Sequence, residues 1–277
     1  MLKMMLCLLL AGCLAVPLTG CARAVLVEKP TGEMHIAFLG DKAEDAILLY
    51  GEDFAVLIDT GLNKTGDEIV KFIQEKGIKK LDMMLITHYD KDHVGGADTV
   101  LENVPVGRLI GADYEGDSKQ YEQFVKAAKK AGATIERARH DMELTIGPLA
   151  LQIGAPTVLH EQENDRSLVV RAVYGDCAML FAGDAEKARL NELMHTGVEP
   201  CMLLKVPHHG RIEDNSGAFI SAARPQIAVI TSHEEEMEDD LVLALLKQAG
   251  AQVFLTRLGF VEGTCDGHVV KLWQEMY

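Results

Sequence analysis

The chain has 277 residues, of which 48% are hydrophobic and 25% are charged. This composition is typical of a folded globular protein and argues against disorder or a collagen-like repeat. The 42 Asp and Glu residues outnumber the 27 Lys and Arg residues, so the formal net charge is −15. That balance argues against binding of duplex nucleic acid by bulk electrostatics, because a phosphate backbone requires a basic surface; a local phosphate site built around metal ions remains compatible with it.

The first 21 residues have the pattern of a bacterial lipoprotein signal. Lys3 supplies a positive start, Met4–Val16 is an uncharged apolar run too short for a comfortable transmembrane helix, and small residues precede Cys21. We therefore expect a signal peptide over residues 1–21, with Cys21 lipidated, and a protein that is extracytoplasmic and anchored to the bacterial cell membrane, or secreted. Cys13 follows a similar sequence after a shorter apolar run, and an ordinary cleaved signal or an N-terminal anchor is the plainer alternative.

Residues 22–33 predict a short linker, and residues 34–277 predict one domain. Apolar runs bounded by glycine and charged turns predict strands at Met34–Leu39, Ala46–Leu49, Phe54–Ile58, Leu81–Thr87, Glu143–Ile146, Leu149–Ile153, Leu168–Val173, Ala178–Phe181, Met202–Val206, Ile227–Thr231, Val253–Thr256, near Phe260, and at Val269–Trp273. Apolar residues at helical spacing predict helices at Thr65–Lys76, Ser118–Ala131, Ala185–His195, Ser216–Ala223 and Asp239–Ala249. Strands buried between two helical layers would form a four-layer αββα sandwich, although the pattern alone supports the α/β class more strongly than that architecture.

Three cysteines lie within the predicted domain. Cys177, Cys201 and Cys265 are widely spaced, have apolar or strand-like surroundings, and form no C-x-x-C zinc pattern. We interpret them as core packing residues, and a disulfide between two of them stays open.

The strongest chemical signal is the segment Thr87–Gly96. It places His88, Asp90, Asp92 and His93 within six residues, directly after an apolar strand. Strand ends project side chains into clefts, and imidazole and carboxylate groups are ligands that zinc and manganese accept. Four such groups on one tight loop can address two adjacent cations; a solvated polar loop is the plainer alternative.

This segment resembles the metal-binding motif H-x-H-x-D-H of the metallo-β-lactamase superfamily, with Asp90 in place of the second histidine. The resulting H-x-D-x-D-H form is similar to the exported hydrolase domain of ComEC-type DNA-uptake proteins. Further segments agree in type and order: Leu57–Gly61 with an early D-x-G strand end, Asn164–Arg171 with N-x-x-S-L-V-x-R, Phe181–Glu186 with G-D-A-E, and Leu204–Gly210 with K-V-P-H-H-G. The resemblance runs from about Met34 to Trp273 and implies the αββα metallo-β-lactamase fold.

The resemblance also implies two divalent metal ions, zinc or manganese. It assigns one metal to His88, Asp90 and Asp184. It assigns the other to Asp92, His93, Asp184 and one histidine of the 208–209 pair, for which we favour His208. A carboxylate after the Gly183 turn suits a bridge between two cations, which can hold a water molecule and lower its pKa so that hydroxide attacks the substrate.

Catalytic candidates are Asp92, His209 and Lys205. We expect His209 to act as general acid to the leaving group. Lys205 would stabilise phosphate charge, with a solvent-facing strand lysine as the equal alternative.

Three further residues are expected to support the site. Asp59 would orient a ligand or the loop. Asn164 stands where sister families place a third histidine, and since asparagine ligates poorly, the first metal site would be rich in oxygen. Ser167 would help to bind substrate or, more plainly, cap a strand turn.

The chain departs from the ComEC-type pattern after H-H-G, where Arg211 replaces the usual serine, and at residues 233–240, where six acids replace Y-G-H-P. An acidic rim would repel a long polyanion, whereas a solvated loop would not. The prediction is an exported metal-dependent hydrolase, with phosphodiesterase activity on phosphate esters or nucleic acid. The alternatives are an acyl hydrolase resembling a lactonase or β-lactamase, and a metal-loaded binding lipoprotein without turnover. No protein partner is implied, and the membrane is contacted only through the lipid anchor.

Overall fold

The computed structural model describes residues 30–276. The predicted signal peptide, Cys21 and most of the predicted linker lie outside these residues. The strands are β1 Met34–Phe38, β2 Ile47–Tyr50, β3 Ala55–Ile58, β4 Leu81–Ile86, β5 Val106–Ala112, β6 Ile135–Ala138, β7 Met142–Ile146, β8 Leu149–Gly154, β9 Val169–Tyr174, β10 Cys177–Phe181, β11 Leu203–Lys205, β12 Ile227–Ile230, β13 Gln252–Leu255, β14 Gly259–Cys265 and β15 Val270–Met276. The α-helices are α1 Thr65–Glu75, α2 Lys91–Val94, α3 Ala97–Asn103, α4 Lys119–Ala131, α5 Lys187–Thr196, α6 Ser216–Ala223 and α7 Asp240–Gln248.

The strands form two mixed sheets. The first has the order β15-β14-β1-β2-β3-β4-β5-β6, and the second has the order β13-β12-β11-β10-β9-β8-β7. Strands β3 to β6 run parallel to one another, as do β10 to β13. Each sheet therefore contributes a parallel half whose strand ends can build a site.

Alternate residues of the second sheet face opposite layers, as the two-residue period of a strand requires. Leu203 packs in the large core between the sheets, which also includes residues of α1, α3 and α4. Its neighbour Leu204 packs with residues of α5, α6 and α7 in a second core on the outer face. The order of layers is therefore helix, sheet, sheet, helix, and the predicted αββα sandwich is confirmed.

Four elements do not appear among the sequence predictions: β5, β6, α2 and α3. Strand β5 contains Gly107 and Gly111 and starts with partly exposed residues, so its apolar pattern is weak. It is held by parallel pairing with β4 on one side and β6 on the other, which is a tertiary contribution.

Within residues 30–276, no helix combines the length and apolar character needed to span a bilayer.

The three cysteines of the domain are buried and free. Cys177 and Cys265 lie in the core between the sheets, and Cys201 lies in the outer core. Their interpretation as packing residues is confirmed, and burial raises the pKa of each thiol, so they are poor nucleophiles.

Candidate metal centre

Polar side chains gather where the parallel strands of both sheets end. Short loops follow these strands and carry, in chain order, Asp59 after β3, His88 after β4, Asp184 after β10, His209 after β11 and Thr231 after β12. The backbone N–H of Leu168, just before β9, donates to the carbonyl of Thr87 at 3.0 Å and joins the two sheets here. The strand-end location expected of a ligand site is therefore built from both halves of the sandwich.

A tight group consists of Asp92, His93, Asp184 and His209, whose ligand atoms all lie within 4.8 Å of one another. An Asp184 oxygen lies 3.3 Å from His93 Nε2, and its other oxygen lies 3.1 Å from His209 Nε2. The Asp92 carboxylate is 3.4 Å from His209 Nε2. Ligands held about 2.0–2.2 Å from one tetrahedral ion are about 3.3–3.5 Å apart, so these separations fit a shared cation.

The imidazoles of this centre share one orientation. In His88, His93 and His209 the Nε2 atom is buried and has no hydrogen-bond partner. Their Nδ1 atoms are held by the protein: His93 by Asp59 at 2.9 Å, His209 by the Thr231 carbonyl at 2.9 Å, and His88 by the Thr87 hydroxyl at 3.1 Å. A histidine that binds a metal through one nitrogen is oriented through the other in the same way. The buried, unpartnered Nε2 atoms therefore fit metal ligands.

Asp59 is the anchor of the loop that carries these histidines. Its carboxylate accepts hydrogen bonds from the Thr87 backbone N–H and the Thr87 hydroxyl, both at 2.7 Å, in addition to His93. Its φ is 57°, in the left-handed region, which Asp tolerates better than most residues. Burial raises the pKa of Asp59 and the His93 charge opposes that rise, so the carboxylate depends on its hydrogen-bond donors.

His88 and Asp90 form the second, more open part of the centre. His88 is fully buried, and its ring lies 4.0 Å from that of His93, centroid to centroid. The Asp90 side chain is 40% exposed and lies 3.8 Å from His88 Nε2. Burial, with help from the charge of Glu163, raises the pKa of Asp90 to about 6. The geometry therefore brings His88 and Asp90 together at the edge of the tight group.

A buried ion pair underlies the centre. Lys205 Nζ lies 2.5 Å from Asp45, 3.4 Å from Asp184 and 3.1 Å from the Gly183 carbonyl, and the lysine has no exposed surface. Lys205 is therefore not a solvent-facing strand residue, which was the alternative that the sequence left open. Asp45, which precedes β2 and also accepts a 2.7 Å hydrogen bond from the Thr231 hydroxyl, was missed by the sequence reasoning. Its only local signal is an acid set directly before an apolar strand.

The two adjacent histidines at 208 and 209 point to different partners. Both have positive φ, 46° and 51°, within the turn Pro207–Gly210. His209 joins Asp92 and Asp184, and these carboxylates overcome the effect of burial and raise the pKa of its imidazole to about 9. His208, the ligand favoured from the sequence, instead directs Nδ1 toward Glu186 at 3.4 Å. His209, which was expected to be the general acid, therefore lies among the ligand candidates. His208, which was expected to be a ligand, lies beside them.

Asn164 and Ser167 lie next to the centre. The Asn164 amide donates to Glu186 at 2.9 Å and is 3.4 Å from His208 Nε2. The buried Ser167 hydroxyl accepts from the Asp184 backbone N–H at 3.2 Å. Ser167 therefore holds the turn that carries Asp184, whereas Asn164 lies beside Glu186 and His208.

The acidic segment 233–240 packs against the turn that carries the two histidines. Glu238 is buried and is 3.1 Å from the Arg257 guanidinium. The Asp239 N–H donates to the Gly210 carbonyl at 3.0 Å, and its side chain accepts from the N–H two residues beyond that glycine. Part of the segment is therefore structural, and its acids do not all face solvent.

Comparison with known sequences identifies relatives of the chain. A family model described as the metallo-beta-lactamase superfamily matches residues 39–233. ComE operon protein 3 of Bacillus subtilis is 30% identical over 195 residues, which are 68% of this chain and 25% of that protein. Recombination protein 2 of Haemophilus influenzae is 28% identical over 212 residues, or 74% of this chain and 25% of that protein. These relatives are ComEC-type competence proteins, and the chain spans about a quarter of their length.

Solved structures share the fold at low sequence identity. The metallo-β-lactamase fold protein YhfI from Bacillus subtilis has a TM-score of 0.56 at 17% identity and covers 81% of this chain and 96% of its own. A solved structure described as a metal-dependent hydrolase from Parabacteroides distasonis has a TM-score of 0.53 at 15% identity and covers 82% of this chain and 94% of its own. At these identities the likeness concerns the fold alone.

Proposed function

Since this chain belongs to the metallo-β-lactamase superfamily, we propose that it is an exported hydrolase that cleaves phosphodiester bonds with two divalent cations. Membership of the family supports metal-dependent hydrolysis in general. The dinuclear centre, the phosphodiester substrate and the export are parts of the proposal.

One observation carries the proposal: three buried imidazole Nε2 atoms without hydrogen-bond partners, two of them within 3.3 Å of the Asp184 carboxylate. A buried polar atom without a partner is costly, and two adjacent divalent cations would together satisfy all three. We assign Asp92, His93 and His209 to one cation and His88 with Asp90 to the other, with Asp184 between them. Cations bound there would lower the pKa of water and polarise a phosphoryl or carbonyl oxygen.

The protein's own groups fix the geometry of this centre. Asp59 and Thr231 hold the Nδ1 atoms of the two imidazoles that flank Asp184, so both rings keep Nε2 directed inward. Lys205 lies against Asp184 from the interior and balances part of the negative charge when the cations are absent. In this arrangement Lys205 is a structural counter-ion, since it is fully buried and a substrate phosphate cannot reach it.

The ligand chemistry favours phosphate esters over acyl substrates. By the sequence resemblance, Asp90 and Asn164 stand where related families carry histidine. The metal position at His88 and Asp90 is therefore rich in oxygen. Oxygen ligands favour hard cations such as manganese or magnesium, which suit anionic phosphate oxygens. The H-x-D-x-D-H form, through which the sequence resembles the ComEC-type hydrolase domain, supports the same choice, although the matched segment is only 25% of the length of each of these two relatives.

We also propose that the chain is anchored through a lipid on Cys21 and works outside the cytoplasm. This rests on the signal-like sequence of residues 1–21, which lies outside the described residues. Incorporation of labelled fatty acid into the wild-type chain, and its loss in Cys21→Ala, would support the anchor; equal labelling of both would refute it.

The test is hydrolysis of bis(p-nitrophenyl) phosphate by the full chain with added manganese. Asp184→Asn and His209→Asn should each lower the rate more than about 100-fold, because even the outer partners of metal ligands account for about 10- to 100-fold. Asp82→Asn, at the opposite end of β4, and His195→Asn, at the exposed end of α5, are matched controls that should keep wild-type rates.

Three outcomes separate the hypotheses. Hydrolysis that survives Asp184→Asn refutes the metal centre as the site of turnover. Hydrolysis of nitrocefin or a lactone, without phosphodiester cleavage, supports the acyl hydrolase. A folded, metal-loaded wild type that cleaves none of these substrates supports a binding lipoprotein instead.

A further inference from the structure

A second group of ligand-type side chains lies at the edge of the metal centre. Glu186 immediately precedes α5, His208 lies in the turn after β11, and Glu213 lies in the loop before α6. Their ligand atoms all fall within 4.8 Å of one another. None of the three belongs to the group around Asp184, so they are free to serve a different ion.

The geometry at His208 is that of a ligand rather than of a hydrogen-bonded imidazole. Its Nδ1 atom is buried and has no hydrogen-bond partner, although it is 3.4 Å from Glu186 Oε1 and 3.8 Å from Glu213 Oε1. These separations exceed those of a charged hydrogen bond, about 2.7–2.9 Å, and are close to the about 3.3–3.5 Å between neighbouring ligands of one tetrahedral ion. The Nδ1 atom therefore faces a space of the size that a cation occupies.

The charges around the group are unbalanced. Within residues 30–276, no Lys or Arg side-chain nitrogen lies within 4.0 Å of either carboxylate, and the neighbouring Lys187 and Arg211 side chains pair with Asp214 and Glu236 instead. The two glutamate side chains are only 24% and 21% exposed. Burial, and then the charge of Glu186, raises the pKa of Glu213. Partly buried like charges held together in this way are stabilised by a cation between them.

We propose that Glu186, His208 and Glu213 bind a third divalent cation at the edge of the metal centre, separate from the group around Asp184. Two carboxylates and one imidazole suit manganese or zinc, and three protein ligands leave a position open. The amide of Asn164 donates to Glu186 at 2.9 Å and lies 3.4 Å from His208 Nε2, so it braces two of the ligands.

The cation would change what the edge of the metal centre can accept. Without it, the edge presents two carboxylates in a chain whose formal net charge is −15, which opposes an anionic substrate. With it, the same edge presents a positive centre with an open position to a phosphate oxygen. This consequence rests on the proposed phosphodiesterase function; the cation site itself does not.

The test counts manganese ions without any substrate. Isothermal titration of the full chain, with electron paramagnetic resonance of free manganese as a second readout, compares wild type with Glu213→Gln and Glu186→Gln. Each of these variants should bind one ion fewer than wild type. Glu102→Gln, on the remote helix α3, is the matched control and should bind as wild type does.

A second background separates the two sites. Asp184→Asn weakens the centre around Asp184, and combining it with Glu213→Gln should remove one further ion, because the two groups share no ligand residue. Equal ion numbers and affinities in wild type and a folded Glu213→Gln protein, or no further loss in the double variant, would overturn the proposal. Since no turnover is measured, failure of phosphodiester cleavage would leave this result standing.

Discussion

Replacing Asp59 by asparagine tests how the ligand loop is held. The carboxylate accepts hydrogen bonds from the Thr87 N–H, the Thr87 hydroxyl and His93 Nδ1 at 2.7, 2.7 and 2.9 Å. Asparagine has nearly the same shape and also tolerates the left-handed backbone that this position requires. The substitution therefore removes a charge and one acceptor without displacing the loop.

The expected effect follows from what asparagine cannot do. One of its two terminal atoms is an NH₂ donor, so it cannot accept all three hydrogen bonds, and His93 loses a charged partner. Outer partners of metal-binding histidines account for about 10- to 100-fold in metal affinity or activity, which corresponds to about 1.4–2.8 kcal/mol. We expect a loss in this range for manganese affinity and for phosphodiester hydrolysis.

The assay is isothermal titration of the metal-free full chain with manganese, followed by hydrolysis under saturating metal. Asp82→Asn is the control, because Asp82 also accepts a backbone hydrogen bond, from Ala55 at 3.0 Å, but at the far end of β4. Saturating manganese should restore part of the rate of Asp59→Asn. A folded Asp59→Asn protein with wild-type affinity and rate would show that His93 needs no such support, and would refute the reasoning.

Two further predictions concern stability in the presence of a chelator, measured by urea denaturation. Lys205→Met leaves Asp45 and Asp184 buried without their cation and should lower the free energy of unfolding by about 3–5 kcal/mol; a loss below about 1 kcal/mol would contradict the counter-ion role. Burial opposes ionisation of Glu192, but hydrogen bonds from a threonine and an imidazole and the charge of Arg189 outweigh it and hold the carboxyl pKa at about 2, below its ordinary 4.5. The ionised Glu192 carboxylate therefore stabilises the fold by at most about 3 kcal/mol; this stabilisation is complete above pH 4.5 and is lost as the pH falls toward 2. Glu192→Gln should be less stable than wild type at pH 7, and its free energy of unfolding should depend less on pH. Parallel plots of the free energy of unfolding against pH for the two proteins would contradict this prediction.

The sequence by itself determined the parts of this protein that depend on neighbours in the chain. The apolar runs and their turns predicted most strands and helices, because each element is a local pattern of period 2 or 3.6. The spacing of His88, Asp90, Asp92 and His93 placed four ligand-type groups on one loop, since residues that close cannot separate far. The α/β class and the family resemblance followed from these local features.

Only the tertiary structure decided which distant groups meet. Asp45 lies far from Lys205 in the sequence yet forms a 2.5 Å ion pair with it, and no local sequence pattern predicts this contact. His208 and His209 are chemically identical neighbours, and the positive φ angles of their turn direct one outward and the other inward. Pairing across the sheet likewise made β5 a strand despite its two glycines. In each case the deciding contact joins residues that are remote in the chain and near in space, and such contacts exist only once the sheets have formed and packed together.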